Sequence, residues 1–160
     1  MDEAAVQRLI DEHALEKILV RYFDRVDAND PEGAAALFAP DAEVEIMTGK
    51  RYQGREWYAK ALARVLDQYE PTSHHLTNLR ADVDGDRAET TAYVYAYHRM
   101  RATGEPWHLW VRMRDRFERR DGAWVIVEHV LHGVDSVPAR EDIPADWYSG
   151  HPGRRSRADA

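Results

Sequence analysis

The chain has 160 residues, a net charge of −7, 44% apolar and 32% charged residues, and no cysteine. That length favours one domain around a single core, and the negative charge argues against nucleic acid or anionic membrane as a partner. Disulfide and thiolate chemistry are excluded, and no run approaches the roughly 20 apolar residues of a membrane span. The acidic start, Met1-Asp2-Glu3, is unlike a signal peptide, so the cytoplasm is the expected location.

Residues 4–28 predict a long helix. Val6, Ile10, Ala14, Ile18, Tyr22 and Val26 recur every four positions, and Leu15, Leu19 and Phe23 widen the stripe. Asn29-Asp30-Pro31 stops it. Asp30 then caps a short second helix with Pro31 at its first position, carrying Ala34 to Phe38 and ending before Pro40. Asp41 to Met47 alternates as a short strand. Gly49 and Gly54 bracket a turn or a second short strand. Residues 55–70 predict a third helix, with Trp57, Ala61, Leu62, Val65, Leu66 and Tyr69 on one face and Pro71 as its terminator.

The period then changes. Residues 74–83, 87–102, 106–119 and 123–134 read as four strands, with hairpin signals at Asp84-Gly85-Asp86 and Asp121-Gly122 and a turn at Gly104. Helices followed by an antiparallel meander are an α+β arrangement. A long helix packed across a curved sheet leaves a cone, a natural small-molecule pocket. The domain is expected to end near residue 135. Residues 136–160 form a tail in which Asp146-Trp147-Tyr148 are expected to fold back as a lid or hang loose, and the basic run Arg154-Arg155-Ser156-Arg157 is expected to be solvated.

Among chemistry-bearing residues, Ser73-His74-His75 opens a strand. Adjacent strand residues point to opposite faces, so His74 and His75 do not chelate one ion together, and neither do His129 and His132, three apart. With no cysteine and no zinc-like spacing, no metal and no cofactor are predicted. There is no Gly-rich phosphate loop and no Gly-x-Ser-x-Gly elbow. His98 shares its strand face with Ala92, Val94, Ala96 and Met100, small neighbours that suit a pocket floor. Tyr93, Tyr95, Tyr97, Arg99 and Arg101 face the other way and suit solvent or a subunit interface. Asp27 stands at a helix C-terminus, where negative charge opposes the macrodipole.

Three stretches together resemble the SnoaL-like family of the nuclear transport factor 2-like superfamily. They are Tyr22-Phe23-Asp24-Arg25-Val26-Asp27 followed by Ala36-Leu37-Phe38-Ala39-Pro40-Asp41-Ala42, then Ser73 to Leu79 running on to Ala88, and Asp115 to Trp124. The resemblance implies a cone-shaped α+β barrel, assembled as a homodimer or homotrimer. Within the superfamily the chain is similar to the dehydratase-like branch of scytalone dehydratase, bile-acid 7-alpha-dehydratase and hexachlorocyclohexane dehydrochlorinase. That similarity implies an Asp–His dyad at Asp27 and His74, with Tyr22 and His98 at the positions of further catalytic groups.

Histidine titrates near neutrality, and a carboxylate on its far nitrogen fixes the tautomer and balances the imidazolium formed on proton uptake. Trp57, Tyr58, Trp110 and His129 are the expected substrate contacts. The expected function is a cofactor-independent lyase of dehydratase type acting on a hydrophobic, ring-bearing small molecule. An isomerase or polyketide cyclase using the same enolate is the first alternative, and a non-catalytic binding or assembly module the second.

Overall fold

The computed structural model describes residues 2–46 and 50–140. The expected lid at Asp146-Trp147-Tyr148, the basic run, Met47 and the turn glycine Gly49 lie outside the described residues. Three helices, α1 (Glu3–Asp27), α2 (Pro31–Ala35) and α3 (Arg55–Leu66), accompany six strands: β1 (Phe38–Ile46), β2 (Lys50–Gln53), β3 (Tyr69–Asp84), β4 (Arg87–Met100), β5 (Pro106–Arg120) and β6 (Ala123–Val137). The sheet runs in the order β2-β1-β6-β5-β4-β3. Its pairs are antiparallel except β1 with β6. It is a curved, mixed sheet left open between β2 and β3, so the cone is not a closed barrel.

Asp2 caps α1 by accepting from the Ala4 amide. The buried stripe of α1 is Leu15, Leu19, Tyr22, Phe23 and Val26, while Ile10 is 56% exposed. The residues expected to widen the stripe are therefore its centre. The cause is polar: Asp11 is buried, accepting from Arg119 Nη2 at 2.7 Å and from Trp124 Nε1 at 3.0 Å. Those two residues sit beside the β5–β6 turn, and the Arg119 guanidinium lies 4.3 Å above the Trp124 ring. Burial raises the Asp11 carboxyl, but the bonds from Arg119, Trp124 and Gln7 outweigh it and hold the group below its ordinary value.

Asn29, with φ of 54°, turns the chain out of α1 in the left-handed region that asparagine tolerates. Asp30 then caps α2 through the Gly33 amide at 2.8 Å, with Pro31 at the first helical position.

Two prolines act differently from expectation. Phe38 to Pro40 belong to β1, not to the second helix. Pro40 falls in the interval between Phe38 and Glu43 where the β1–β6 ladder is interrupted, so its missing N–H breaks no rung of that ladder. Pro71 does not end the third helix. That helix stops at Leu66, and Pro71 lies inside β3, an edge strand, at a register shift between Tyr69 and Thr72. The face of α3 also differs. Tyr58, Leu62 and Leu66, spaced by four, are buried, whereas Trp57 is 64% exposed.

Two irregularities keep the right residues inside the cone. Asn78, at φ 52°, sits within a register shift of β3. Above it His74 and Leu76 face inward, and below it Ala81 and Val83 pack on the core. In β6, Ile126 pairs with Phe117 but Glu128 pairs with Arg116, leaving Val127 as the extra residue of a bulge. That slip brings His129 to the inner side. Val137 carries β6 three residues past its expected end.

Replacing Asp11 with alanine strands a buried indole N–H and removes a charge-assisted bond. Asp11→Ala is therefore expected to lower unfolding free energy by about 1–3 kcal/mol in urea titration with an unchanged m-value. An unaltered midpoint would show that this contact does not fix the helix.

Candidate active site

The concave side of the sheet and the inner faces of α1 and α3 enclose a cavity. Its wall is mostly apolar, with Phe23, Leu62, Leu66, Val94, Leu109 and Val111 among the lining residues, and its polar members are Tyr22, Tyr58, Tyr69, His74 and His98. The space open to the centres of water molecules is about 60 Å³, several times what one water requires, which suits a compact guest.

Asp27 closes one side. Its Oδ1 accepts from His74 Nδ1 at 2.6 Å and from Thr72 Oγ1 at 2.8 Å, and its Oδ2 accepts from the His74 backbone N–H at 2.9 Å. Burial raises this carboxyl. The bonds from the His74 ring and backbone and from the Thr72 hydroxyl outweigh that and hold it below its ordinary value. The carboxylate therefore stays ionised, which places the shared proton on Nδ1 and leaves Nε2 as the ring nitrogen able to accept another. The His74 ring is stacked on Phe23 at 5.2 Å and meets the His98 ring edge-on at 5.1 Å. His75 faces outward, with its ring near Tyr95 and Nε2 beside the Ser73 hydroxyl.

His98 is buried among His74, Tyr69 at 4.6 Å and Trp107 at 5.0 Å. Burial and the neighbouring His74 push its pKa down to about 3, so it is a neutral imidazole at ordinary pH. The Tyr22 and Tyr58 hydroxyls are hydrogen-bonded to each other, buried at the cavity wall. Burial raises both phenols above their ordinary range, so both remain protonated and able to donate.

The structure thus gathers Tyr22, Asp27, Tyr58, His74 and His98 in one place. Trp57 and Trp110 are elsewhere: Trp57 projects from the outer side of α3, and Trp110 lies on the convex face of the sheet beside Tyr95 and His108. The buried face of α3 is centred on the four-residue spacing of Tyr58, Leu62 and Leu66, which leaves Trp57 outside it. His129 is fully buried behind Tyr22, bonded to Asp115.

Sequence reasoning did not single out Phe23 as the platform under His74, nor Tyr69 and Trp107 as the neighbours of His98. It also missed Arg140, whose Nη1 donates to the Tyr69 hydroxyl at 2.7 Å while its guanidinium covers the Trp107 ring at 4.9 Å. Arg140 follows the last strand, where no periodicity marks its target.

A wider cleft lies on the opposite side, lined by Asp41, Glu43, Asp84, Arg87, Glu118 and Arg120 among others. Arg120 pairs there with Asp41 and Glu118, and the cleft reads as a solvated surface. Among the described residues no three His, Asp or Glu side chains are placed to hold a metal ion, and no helix is long and apolar enough to cross a membrane.

The family model of the SnoaL-like domain matches residues 7–130. No curated protein sequence matched the chain. Among solved structures, the "Putative Scytalone Dehydratase" of Novosphingobium aromaticivorans is 26% identical with a TM-score of 0.82, covering 95% of this chain and 99% of that one. The hexachlorocyclohexane dehydrochlorinase LinA-type3 of Novosphingobium barchaimii is 20% identical with a TM-score of 0.77, covering 86% and 95%. An NTF2-like protein from Novosphingobium aromaticivorans is 22% identical with a TM-score of 0.70, covering 84% and 92%. With the family match spanning most of its length, and with three helices set against an open, curved six-stranded sheet, the chain belongs to the SnoaL-like domain family and has the NTF2-like α+β cone fold.

Proposed function

We propose that the protein is a cofactor-independent lyase of dehydratase type, with His74 as its general base. One observation carries this reading: the Asp27 carboxylate holds His74 by both its ring and its backbone, at the wall of an apolar cavity. Nε2 takes a proton from a carbon next to a carbonyl or similar activating group. Asp27 keeps the imidazole in its Nδ1–H tautomer and balances the charge that forms. The Tyr22–Tyr58 hydroxyl pair donates to the departing oxygen or to the developing oxyanion, and His98, being neutral, adds a hydrogen-bond donor without adding charge. The dehydratase-named relative at 26% identity supports the same chemistry. The size and lining of the cavity favour a compact, mostly apolar ring compound.

An isomerase or cyclase would use the same base and the same enolate, and product mass separates the cases, since dehydration loses water. A purely binding role predicts either a cavity filled by side chains or Asp27 and His74 held apart, and the 2.6 Å contact beside an open cavity favours the base.

The convex face, with Tyr93, Tyr95, Trp110, Val134 and Val137, is the surface on which the protein is proposed to meet further copies of itself as a dimer or trimer. Light scattering on an eluting column is expected to give a multiple of the 18.5 kDa chain, reduced to the single chain by Trp110→Glu. A monomeric parent protein would remove the proposal.

In a screen of cyclic β-hydroxy ketones, His74→Ala and Asp27→Asn are each expected to lower turnover of the best substrate by about 10²–10⁴-fold. Full turnover in both variants would defeat the assignment of the base.

A neutral buried His98 also has a pH signature. Its pKa lies near 3 in the fold against 6.5 for the free group. Between those values the unfolded chain binds a proton that the folded one does not, so stability falls as pH falls through that window. His98→Gln is expected to flatten this part of the stability curve measured by thermal unfolding. An unchanged slope would mean that His98 is not held neutral.

A further inference from the structure

The cone holds a second histidine–carboxylate pair that the mechanism above does not use. Thr90, Asp115 and His129 stand directly opposite one another on β4, β5 and β6, and all three face inward and are buried. Thr90 Oγ1 donates to Asp115 Oδ2 at 3.4 Å, and His129 Nδ1 lies 2.6 Å from Asp115 Oδ1. A carboxylate offers acceptors only, so the proton of this contact belongs to Nδ1. That leaves Nε2 as a bare acceptor. It is buried with no protein partner, a costly condition in the interior of a protein.

The neighbours of the His129 ring bear on what Nε2 can do. The His129 ring lies against Tyr22, with centroids 5.2 Å apart, and against Phe38 at 5.7 Å. Phe38 in turn packs on Tyr58 at 4.8 Å. The two tyrosines whose hydroxyls share a hydrogen bond at the cavity wall are therefore backed by the Asp115–His129 pair. After burial, the negative charge of Asp115 is a further cause that raises both phenols, so it is close enough to act on them. Two hydroxyls have two protons. One lies between the oxygens, and the other needs an acceptor whenever no substrate oxygen is present.

We propose that Asp115 and His129 are positioning residues for the donor side of the site: His129 Nε2 accepts a hydrogen bond, relayed by one buried water, from the Tyr22–Tyr58 hydroxyl pair. A water so placed would have three polar partners, the two phenol oxygens and Nε2, the number a buried water usually makes. Asp115 fixes the His129 tautomer as Asp27 fixes that of His74. The result is a site with two anchored imidazoles, one facing the cavity as base and one behind the tyrosines aligning their protons. When a substrate oxygen arrives, the aligned proton turns from the relay to the substrate, and no bond in the protein has to form first. This rests on reading the tyrosine pair as the donor of the proposed lyase.

The test is long-range proton–nitrogen NMR of the imidazole rings in the full ¹⁵N-labelled chain, with the His129 signals assigned by their loss in His129→Gln. The parent protein is compared with Tyr22→Phe and Tyr58→Phe, conservative changes that keep the ring packing. The expected result is an unprotonated, hydrogen-bonded Nε2 in the parent, shifting toward the value of a free imidazole nitrogen in at least one phenylalanine variant. A residue that merely fills the core would not report the loss of a hydroxyl it does not touch. A proton found on Nε2, or an Nε2 signal identical in all three proteins, overturns the proposal. The His74 signals in the same spectra are independent of this outcome, so a failure here leaves the Asp27–His74 assignment standing, and the reverse holds as well.

Discussion

One carboxylate ties the architecture to the chemistry. Asp27 accepts three hydrogen bonds from the first half of β3: the Thr72 hydroxyl, the His74 backbone N–H and the His74 ring. β3 is an edge strand, and an edge strand carries backbone donors with no neighbouring strand to receive them. Asp27 serves as that receiver at His74. It also stands at the end of α1, where its charge opposes the helix dipole. That small cost is offset by donors arriving from β3. The same contact therefore docks the end of the long helix, satisfies the sheet edge and sets the tautomer of the imidazole.

The remaining elements hold this contact over a cavity. Leu15, Leu19, Phe23 and Val26 seat α1 in the cone, and the polar anchor at Asp11 sets the rotation of its other end. α3 brings Tyr58 to Tyr22 across the cavity wall. On β4, the small side chain of Ala96 leaves room between Val94 and His98. An apolar lining strengthens every interaction of the few polar groups within it. His98, without a carboxylate partner, is kept neutral by burial and by the neighbouring His74, and His74 is held by Asp27 within hydrogen-bond reach.

Much of this was legible in the residues because it depends on short-range rules. The hairpins at Asp84-Gly85-Asp86 and Asp121-Gly122, the Asp30-Pro31 helix start and the alternating face of β4 are local patterns, and the structure has them. The pairing of Asp27 with His74 came from the resemblance to the family, since no local rule joins residues 47 apart. What stayed hidden depends on irregularities. Counting back from the β5–β6 turn, where Arg120 faces Ala123, an unbroken ladder sets Asp115 opposite Glu128. The bulge at Val127 replaces Glu128 with His129 and so creates the second buried pair. Pro71 signalled a helix end because prolines usually do, but on an edge strand its missing donor costs the sheet nothing. Trp57 and Trp110 misled for another reason: a large aromatic residue fits a pocket and an exposed face equally well, and only packing decides between them.

For His74 to act as the base, Asp27 must hold the proton on Nδ1 and leave a bare Nε2 toward the cavity. The direct measurement is the tautomeric state of His74 at neutral pH by imidazole ¹⁵N NMR, in the parent chain and in Asp27→Asn. The expected result is the Nδ1–H form in the parent and loss of that preference in the variant. A parent protein with the proton on Nε2, or an Asp27→Asn protein with an unaltered His74 tautomer, would contradict it.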